Sequence, residues 1–229
     1  MKIIARAHND FPTKFGLPRQ SALGEGLLSV IVFEKEYRVP EALRGLEEYS
    51  HLWLLWQFHA MENADWSPTV RPPRLGGNER VGVFATRSPN RPNPIGLSCV
   101  KLVEIRKTRE QGTVLVVSGT DMMDGTPIYD IKPYLPYTDA HPDAQGGFAQ
   151  RHLSDDLRVE AVPELMQKVP REKREALLSL LRQDPRPAYQ HDPERVYGFP
   201  YGEMEIRFTV RDGVLRVVEI ENARKIPHE

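Results

Sequence analysis

Short apolar runs separated by proline and glycine dominate the first 140 residues, a pattern typical of β-strands. In the clearest run, His51–Phe58, the apolar residues Leu52, Leu54 and Trp56 alternate with a second face. That second face turns polar toward Gln57 and His59, which predicts the wall of a pocket. Further strands are predicted at Leu27–Phe33, Val81–Thr86, Ser98–Ile105 and Thr113–Gly119. Many short strands with tight turns favour a sandwich or a small barrel over a doubly wound sheet.

The same region contains one predicted helix and an N-terminal strand. Pro40–Tyr49 begins with proline in its first turn and has Glu41 at the positive end of the helix. Residues 1–8 alternate as a strand does, so we interpret them as a strand and not a signal peptide. No apolar run approaches the roughly 20 residues of a membrane span.

From about residue 140 the pattern changes to that of a helix followed by a hairpin. Pro170–Arg182 has its apolar residues at helical spacing. Two alternating runs, Met204–Val210 and Val214–Ile220, flank Asp212-Gly213, a pair that favours a hairpin turn. The sequence therefore predicts a mainly β domain over residues 1–140. It predicts a small α+β domain with a core of its own over residues 141–229.

Composition excludes several classes of protein. The formal net charge of −1 gives no bulk electrostatic reason for a nucleic-acid or membrane partner. The single cysteine, Cys99, excludes an internal disulfide and a cysteine-based zinc site and fits a reducing cytoplasm. Its apolar strand predicts a buried, inert thiol. The sequence contains neither the glycine fingerprint of a Rossmann site nor the nucleophile elbow of α/β-hydrolases.

Residues 86–98 are the strongest functional signal. Pro89, Pro92 and Pro94 stiffen the backbone, so this segment is predicted to be an ordered loop, neither helix nor inner strand. Arg87 and Arg91 on such a loop suit an anion. Between residues 71 and 91 there are five arginines and one acid, Glu79, which suggests a local anion site. A solvated surface turn is the alternative.

Two further rigid loops carry side chains suited to small molecules. Residues 121–137 turn at Asp124-Gly125 and then present Asp130, Lys132 and tyrosines between prolines. Carboxylates and tyrosines on a stiff loop can bind a ribose, an amine or a base edge. Lys14–Gln20 is a third, basic loop. The alternative is that these segments are ordinary turns whose tyrosines pack over the apolar core with their hydroxyl groups in solvent.

Together these loops resemble the TsaA-like (YaeB/TrmO) family of S-adenosylmethionine-dependent tRNA methyltransferases. The resemblance covers residues 3–140 and extends into the tail. It rests on Lys14–Gln20, Arg71–Asn78, residues 86–98, Asp124–Pro127, Asp130–Tyr134 and, in the tail, Asp184–Tyr189. It implies a β-barrel without a Rossmann sheet and a homodimer, and we expect the protein to bind its donor without a metal. It also implies methylation of N6 of threonylcarbamoyl-adenosine at position 37, in the anticodon loop of tRNA.

The resemblance also implies which residues meet the methyl donor: Pro18, Arg19, Gln20, His59, Ala60, Arg87, Leu97, Asp124, Gly125, Thr126 and Pro127. The proton on N6 calls for a base, for which the candidates are Asp130, Tyr134 and His59. The arginines predicted to contact tRNA are Arg71, Arg74, Arg91 and Arg186.

Two other functions are compatible with the residues. One is a non-catalytic RNA-binding module that uses the basic loops. The near-neutral net charge weakens it, because such modules are usually basic overall. The other is a metal-dependent hydrolase with His8, Asp10, His51 and His59 as ligands, although these histidines show no ligand spacing.

Overall fold

Strands dominate the structure, a computed structural model that describes residues 1–18, 20–21, 26–61, 65–72, 79–151, 156–186 and 192–223. The strands are β1 (Ala5–His8), β2 (Leu28–Phe33), β3 (His51–Gln57), β4 (Thr69–Val70), β5 (Val81–Gly82), β6 (Ile95–Thr108), β7 (Gly112–Ser118), β8 (Pro127–Pro133), β9 (Arg158–Glu160), β10 (Tyr197–Tyr201), β11 (Met204–Arg211) and β12 (Val214–Asn222). The α-helices are α1 (Pro136–Asp139), α2 (Gly147–Arg151), α3 (Pro163–Met166) and α4 (Arg174–Arg182). The predicted mainly β class is confirmed.

Six strands close into an antiparallel barrel in the order β1-β2-β7-β6-β3-β8. The alternation seen in β3 explains its packing, because Leu52, Leu54 and Trp56 are at most 4% exposed and fill the interior. Each fully buried leucine contributes on the order of 1.5–3 kcal/mol to folding. The barrel core is completed by other buried residues, among them Ala5, Ala7, Ile31, Phe33, Val100, Leu115, Val117, Met122 and Ile128.

Two of the predicted elements in the first 100 residues are shorter than expected. Pro40–Tyr49 is not one helix but two 3₁₀ turns, Pro40–Leu43 and Leu46–Glu48. Neither turn buries a residue, so no apolar face holds a longer helix together. Val81–Thr86 pairs only over β5, after which Val83–Ala85 form a 3₁₀ turn.

Two predicted loops contain strands of the barrel. The prediction that no part of residues 86–98 pairs as an inner strand is wrong at its end, because β6 begins at Ile95, just past the last proline, and pairs with β3. Residues 127–133, predicted as part of a rigid loop, are β8, which closes the barrel between β1 and β3. Prolines stand at both ends of β8, where a missing backbone donor is tolerated.

The tail folds as predicted around its hairpin. β11 and β12 pair across the turn at Asp212-Gly213, both with positive φ. β10 and β9 extend them into the sheet β10-β11-β12-β9, with β9 parallel to β12. The predicted helix begins as a 3₁₀ turn, Arg171–Lys173, and continues as α4, whose buried residues Ala176, Leu177, Leu180 and Leu181 join the core of the tail.

The core of the tail also contains two side chains from the connection between β1 and β2. Phe11 and Leu27, which lie between β1 and β2, are 2% exposed within the cluster that α4 and the tail sheet form. Lys173 pairs with Asp10 at 2.7 Å, and the backbone N–H of Gly202 donates to the Asp10 carbonyl at 2.7 Å. The connection from β1 to β2 is therefore held by the tail as much as by the barrel.

The helices in the described ranges are short. None of them is long and apolar enough to cross a membrane.

Candidate functional site

All four segments of the predicted donor site lie at one end of the barrel. Strands β1, β3 and β7 finish at this end, and β2, β6 and β8 begin there. The register shows this: Gln57 of β3 pairs with Ile95 of β6, Ser118 of β7 with Leu28 of β2, and Arg6 of β1 with Pro127 of β8. We call it the motif end. The connections leaving it contain Pro18 and Gln20, His59 and Ala60, Arg87, and Asp124–Pro127. Arg19 lies outside the described residues.

Two of the predicted donor-binding residues, distant in the chain, are in direct contact. Nη1 of Arg87, from the proline-rich loop, donates to Oε1 of Gln20 at 2.6 Å. Pro18, two residues before Gln20, is buried. Arg87 is exposed, so its guanidinium group lies at the protein surface. A neutral amide leaves the positive charge of Arg87 available to an anion.

A half-buried carboxylate that the sequence prediction passed over connects three of these segments. Asp121, just after β7, accepts a hydrogen bond from the Ser98 hydroxyl and another from the Ser21 backbone N–H at 2.9 Å. Ser98 in turn accepts from Nε1 of Trp56 at 2.8 Å. Asp121 thus links the segment of Gln20, the segment of Leu97 and the barrel core. An acidic residue directly after a buried strand is the signal that could have identified it.

Burial raises the pKa of the Asp121 carboxyl above its ordinary value, although its hydrogen bonds and the nearby charge of Arg87 oppose the shift. The folded protein therefore keeps a proton that the unfolded chain, with an Asp pKa of about 3.9, gives up. Consequently, the contribution of Asp121 to stability falls as pH rises from about 4 through its folded pKa, and is constant above it.

This pH dependence is testable by denaturant unfolding across that pH range. Asp121→Asn should gain stability relative to wild type as pH rises, even though its amide cannot accept both hydrogen bonds. Asp139→Asn is the matched control of opposite sign. Hydrogen bonds from Leu135 N–H and Trp53 Nε1 lower the pKa of Asp139. That variant should therefore lose stability relative to wild type as pH rises toward about 4 and show no further change above it, so the measurements start below about pH 4. A pH-independent difference for Asp121→Asn would contradict the prediction.

The Asp124 turn is fastened to the end of β1. Oδ1 of Asp124 accepts the Asn9 backbone N–H at 3.0 Å and lies 3.4 Å from Nδ1 of His8. The Gly125 N–H donates to the Ala7 carbonyl at 2.8 Å. The Asp124 side chain is 45% exposed, so a carboxylate is held in a defined position while still open to a ligand.

The His59 side chain lies against the same turn. Its Nδ1 is 3.4 Å from Oγ1 of Thr126, which is buried. His59 and Ala60 begin a 3₁₀ turn after β3, and the backbone before them is fixed by a hydrogen bond from the Phe58 N–H to the Pro94 carbonyl. Thus His59 and the Asp124 turn lie side by side at the motif end.

Leu97 and Asp130 lie on the outer face of the barrel near this end. Both stand opposite Leu55 on β3. Leu97 is 51% exposed and offers an apolar surface. Asp130 forms an ion pair with Lys132 at 3.0 Å and accepts the Ile131 backbone N–H at 2.9 Å.

The structure does not bring the three candidate bases together. Tyr134 lies at the opposite end of β3, where its N–H donates to the His51 carbonyl and its ring packs 5.8 Å from that of Trp53. The six residue steps of β3 between His51 and Gln57 measure about 20 Å. In one chain, Tyr134 is therefore separated from His59 by the length of the strand, which sequence spacing could not show.

The four predicted RNA-contacting arginines differ in their surroundings. Arg71 is exposed beside β4, whereas Arg91 donates Nη1 to the Thr86 and Ser88 carbonyls of its own loop at 3.1 and 3.2 Å. Arg186 forms two 2.8 Å hydrogen bonds with Asp184 and its side chain is 11% exposed, which gives it a structural role in the tail. Arg74 lies outside the described residues.

The residues of the alternative metal site are dispersed. His51 begins β3 while His59 follows its end, and Asp10 is paired with Lys173. Across the described part of the chain, no group of three or more His, Cys, Asp or Glu side chains could hold a metal ion. Cys99 is free, and burial raises the pKa of its thiol, an effect that Asp139 reinforces.

Comparisons with known proteins agree with this architecture. Residues 6–140 match the tRNA-methyltransferase O N-terminal domain, and residues 154–223 match the TrmO C-terminal domain. A tRNA (adenine(37)-N6)-methyltransferase from Escherichia coli K12 is 41% identical over 95% of this chain and 96% of its own length. A putative S-adenosylmethionine-dependent methyltransferase from Pseudomonas aeruginosa is 40% identical over 92% of each chain.

Solved structures share the whole fold. A crystal structure of TrmO from Pseudomonas aeruginosa superposes with a TM-score of 0.74 at 32% identity and covers 96% of this chain and 97% of the other. A second TrmO crystal structure gives a TM-score of 0.75 over 95% and 96% of the two chains. With both domain matches and nearly full-length relatives, this chain belongs to the tRNA-methyltransferase O family.

Proposed function

We propose that this protein is an S-adenosylmethionine-dependent tRNA methyltransferase that acts on N6 of adenine 37, with threonylcarbamoyl-adenosine as the target nucleoside. The names of its relatives support the enzyme class and the position. The observation that carries the proposal in this chain is the motif end, where Gln20, Arg87, His59 and the Asp124 turn come together from four separate connections.

The residues at the motif end fit the methyl donor chemically. The donor has an amino acid end with both charges, a ribose diol, and a flat base whose faces suit apolar contact. Asp124 can accept hydrogen bonds from an ammonium group or from ribose hydroxyls, and Arg87 can pair with a carboxylate. Leu97 supplies exposed apolar surface nearby on the barrel wall.

S-adenosylmethionine supplies a methyl group bonded to a positively charged sulfur. The neutral thioether that remains after transfer is an excellent leaving group. The protein therefore has two tasks: to hold N6 in line with that methyl group and to deal with the N6 proton. The fixed loops of the motif end perform the first. His59 is the candidate for the second, because Thr126 holds its Nδ1 side and the ring stands at the motif end.

The partners follow from the same proposal. tRNA is the macromolecular substrate, through its anticodon loop, and Arg71 and Arg74 of the basic stretch are proposed to contact its phosphates. A homodimer, which the family resemblance implies, and a cytoplasmic location, which the single cysteine suggests, complete the proposal. Arg91 and Arg186 are used within the protein and are left out of this RNA-contacting set.

Donor binding and methyl transfer test the proposal together. Calorimetry should show binding of S-adenosylmethionine by the purified, metal-free protein, and labelled methyl should pass to tRNA that carries the threonylcarbamoyl group. A non-catalytic RNA-binding module would instead bind tRNA without consuming the donor. Activity that disappears in chelator and returns with metal would favour the hydrolase-type alternative.

Arg87 of the motif end and Arg71 beside β4 should separate donor binding from tRNA binding. Arg87→Ala should weaken the donor about 10- to 150-fold, the effect of losing a charge-assisted hydrogen bond of about 1.5–3 kcal/mol. Arg71→Ala should leave the donor unaffected but lower the salt dependence of tRNA affinity by about one ion. Calorimetry and tRNA binding at several salt concentrations measure these effects.

Arg109→Ala is the matched control for both variants. Arg109 is an exposed arginine in the β6–β7 turn, at the end of the barrel away from the motif end. Arg109→Ala should change neither the affinity for the donor nor the salt dependence of the tRNA affinity. If Arg87→Ala and Arg71→Ala affect both ligands alike, the proposed division between the two arginines is wrong.

A further inference from the structure

Two large aromatic side chains are exposed on the segment between β3 and β6. Phe84 is 76% exposed and Trp66 is 51% exposed. Isolated exposed apolar residues are ordinary, but two aromatic rings on one short segment beside a candidate site call for a partner. We call residues 65–72 and 79–91 the arm.

The arm presents both rings on one ordered unit. β4 and β5 pair through Thr69 with Gly82 and Val70 with Val81. The Val83 N–H donates to the Pro68 carbonyl at 3.0 Å, a bond that joins the neighbour of Phe84 to a residue two positions after Trp66. A further bond from the Ser67 N–H to the Asn90 carbonyl at 3.2 Å ties the arm to the proline-rich loop. Because Val83 is 1% exposed, it anchors the turn while Phe84 faces outward.

The arm is also basic. It contains the four arginines Arg71, Arg80, Arg87 and Arg91 against Asp65 and Glu79, whereas the whole chain has a net charge of −1. Arg71, Arg80 and Arg87 are exposed. Through the hydrogen bond between Arg87 and Gln20, this basic, aromatic surface adjoins the motif end.

We infer that Trp66 and Phe84 stack on bases of the anticodon loop and hold it beside the methyl donor. This inference rests on the proposed function and names the residues that bind the anticodon loop of the substrate. Unpaired loop bases are the part of RNA that proteins bind with aromatic side chains and arginines. The alternative occupant, a second copy of this chain, fits the charge less well, because a symmetric contact would place one basic arm against the other.

The test compares substitutions of the two rings with a matched control. Trp66→Ala and Phe84→Ala should each weaken tRNA binding and raise its KM by about 5- to 150-fold, the range of base–aromatic stacking. Donor affinity and the salt slope of tRNA binding should stay at wild-type values, because no cation is removed. Tyr137→Ala removes an 86% exposed ring in α1, away from the arm, and should change nothing.

Conservative variants at Phe84 separate stacking from apolar contact. Phe84→Tyr should keep wild-type tRNA affinity, and Phe84→Leu should behave as Phe84→Ala. Full affinity in Phe84→Leu, or wild-type KM in both alanine variants, would overturn the stacking inference while leaving the proposed function intact. A change of oligomeric state in Phe84→Ala, seen by sedimentation, would assign the arm to a subunit interface and also overturn it. A wild-type protein that neither binds nor methylates tRNA would end both proposals.

Discussion

Replacing His59 with glutamine is expected to slow the methyl-transfer step by about 10²- to 10⁴-fold in single turnovers, the loss typical of a removed general base. The reason is positional. Among the three candidate bases, His59 stands at the motif end beside Thr126, where segments of the candidate donor site meet. The nitrogen it would serve belongs to a urea-like group, which is a weak nucleophile while it keeps its proton.

Two control variants distinguish His59 from the other candidates. Asp130→Asn should be nearly silent, because Asp130 is already paired with Lys132 on the outer face. Tyr134→Phe should be silent as well if chemistry occurs within one chain, since Tyr134 packs against Trp53 at the far end of β3. Rapid-quench measurements at saturating donor and tRNA separate the chemical step from binding.

The outcome for His59 also decides its role. A slowing below about threefold would remove it as the base. A loss of donor affinity with an unchanged chemical step would reassign it to donor binding. A large effect in Tyr134→Phe would require that the far end of a partner's barrel complete the site in a dimer.

Gly16→Ala is expected to destabilise the protein by about 2–5 kcal/mol and to weaken donor binding. Gly16 has a φ of +85°, and a Cβ there would overlap the ring of Phe199 in β10. The left-handed backbone costs a non-glycine residue about 1–2 kcal/mol, and forcing the buried ring aside costs about 1–3 kcal/mol more. Because Gly16 lies two residues before Pro18, the disturbance reaches the candidate donor-binding loop directly.

Gly213→Ala is the matched control for this variant. Gly213 has a φ of +75° in the β11–β12 turn, but a Cβ there meets no atom within 4 Å. It should therefore show only the backbone cost of about 1–2 kcal/mol and wild-type donor affinity. Denaturant unfolding and calorimetry with the donor measure both variants. Equal effects of the two substitutions on stability and on donor affinity would contradict the inference that the tail supports the candidate donor-binding loop.

This junction changes the expected role of the tail. The sequence predicted only a small domain over residues 141–229 with a core of its own. In the structure, Phe11 and Leu27 from the β1–β2 connection lie inside the tail core. Removing the tail would expose these side chains and release the loop that leads to Gln20. We therefore expect the tail to stabilise the loop that contributes Gln20 to the candidate donor site.

The sequence predicted those parts of the fold that local patterns determine. Alternation identified β3 and the tail hairpin nearly to the residue, because each strand buries one face and the turn at Asp212-Gly213 has a clear signature. It failed for β8, where Pro127 and Pro133 at the strand ends had the appearance of loop residues. It also overestimated the helix at residues 40–49, since capping signals were present without an apolar face.

The candidate site was predictable as a set of segments but not as a geometry. Resemblance to a family identified Gln20, Arg87 and the Asp124 turn, and barrel closure places them at one end. The separation of Tyr134 from His59 depends on strand register, which a sequence does not reveal. Asp121 was missed because its role comes from long-range contacts with Ser21 and Ser98.

The central claim is that the motif end of this barrel directs a methyl group to N6 of the modified adenine 37. The most direct measurement is mass spectrometry of nucleosides from tRNA treated with the purified protein and S-adenosylmethionine, with the modified fragment sequenced. We expect threonylcarbamoyl-adenosine at position 37 to become heavier by one methylene unit, and His59→Gln to slow that conversion. Unmodified threonylcarbamoyl-adenosine after full incubation with a protein that binds both ligands, or a methyl group at another nucleotide, would contradict the claim.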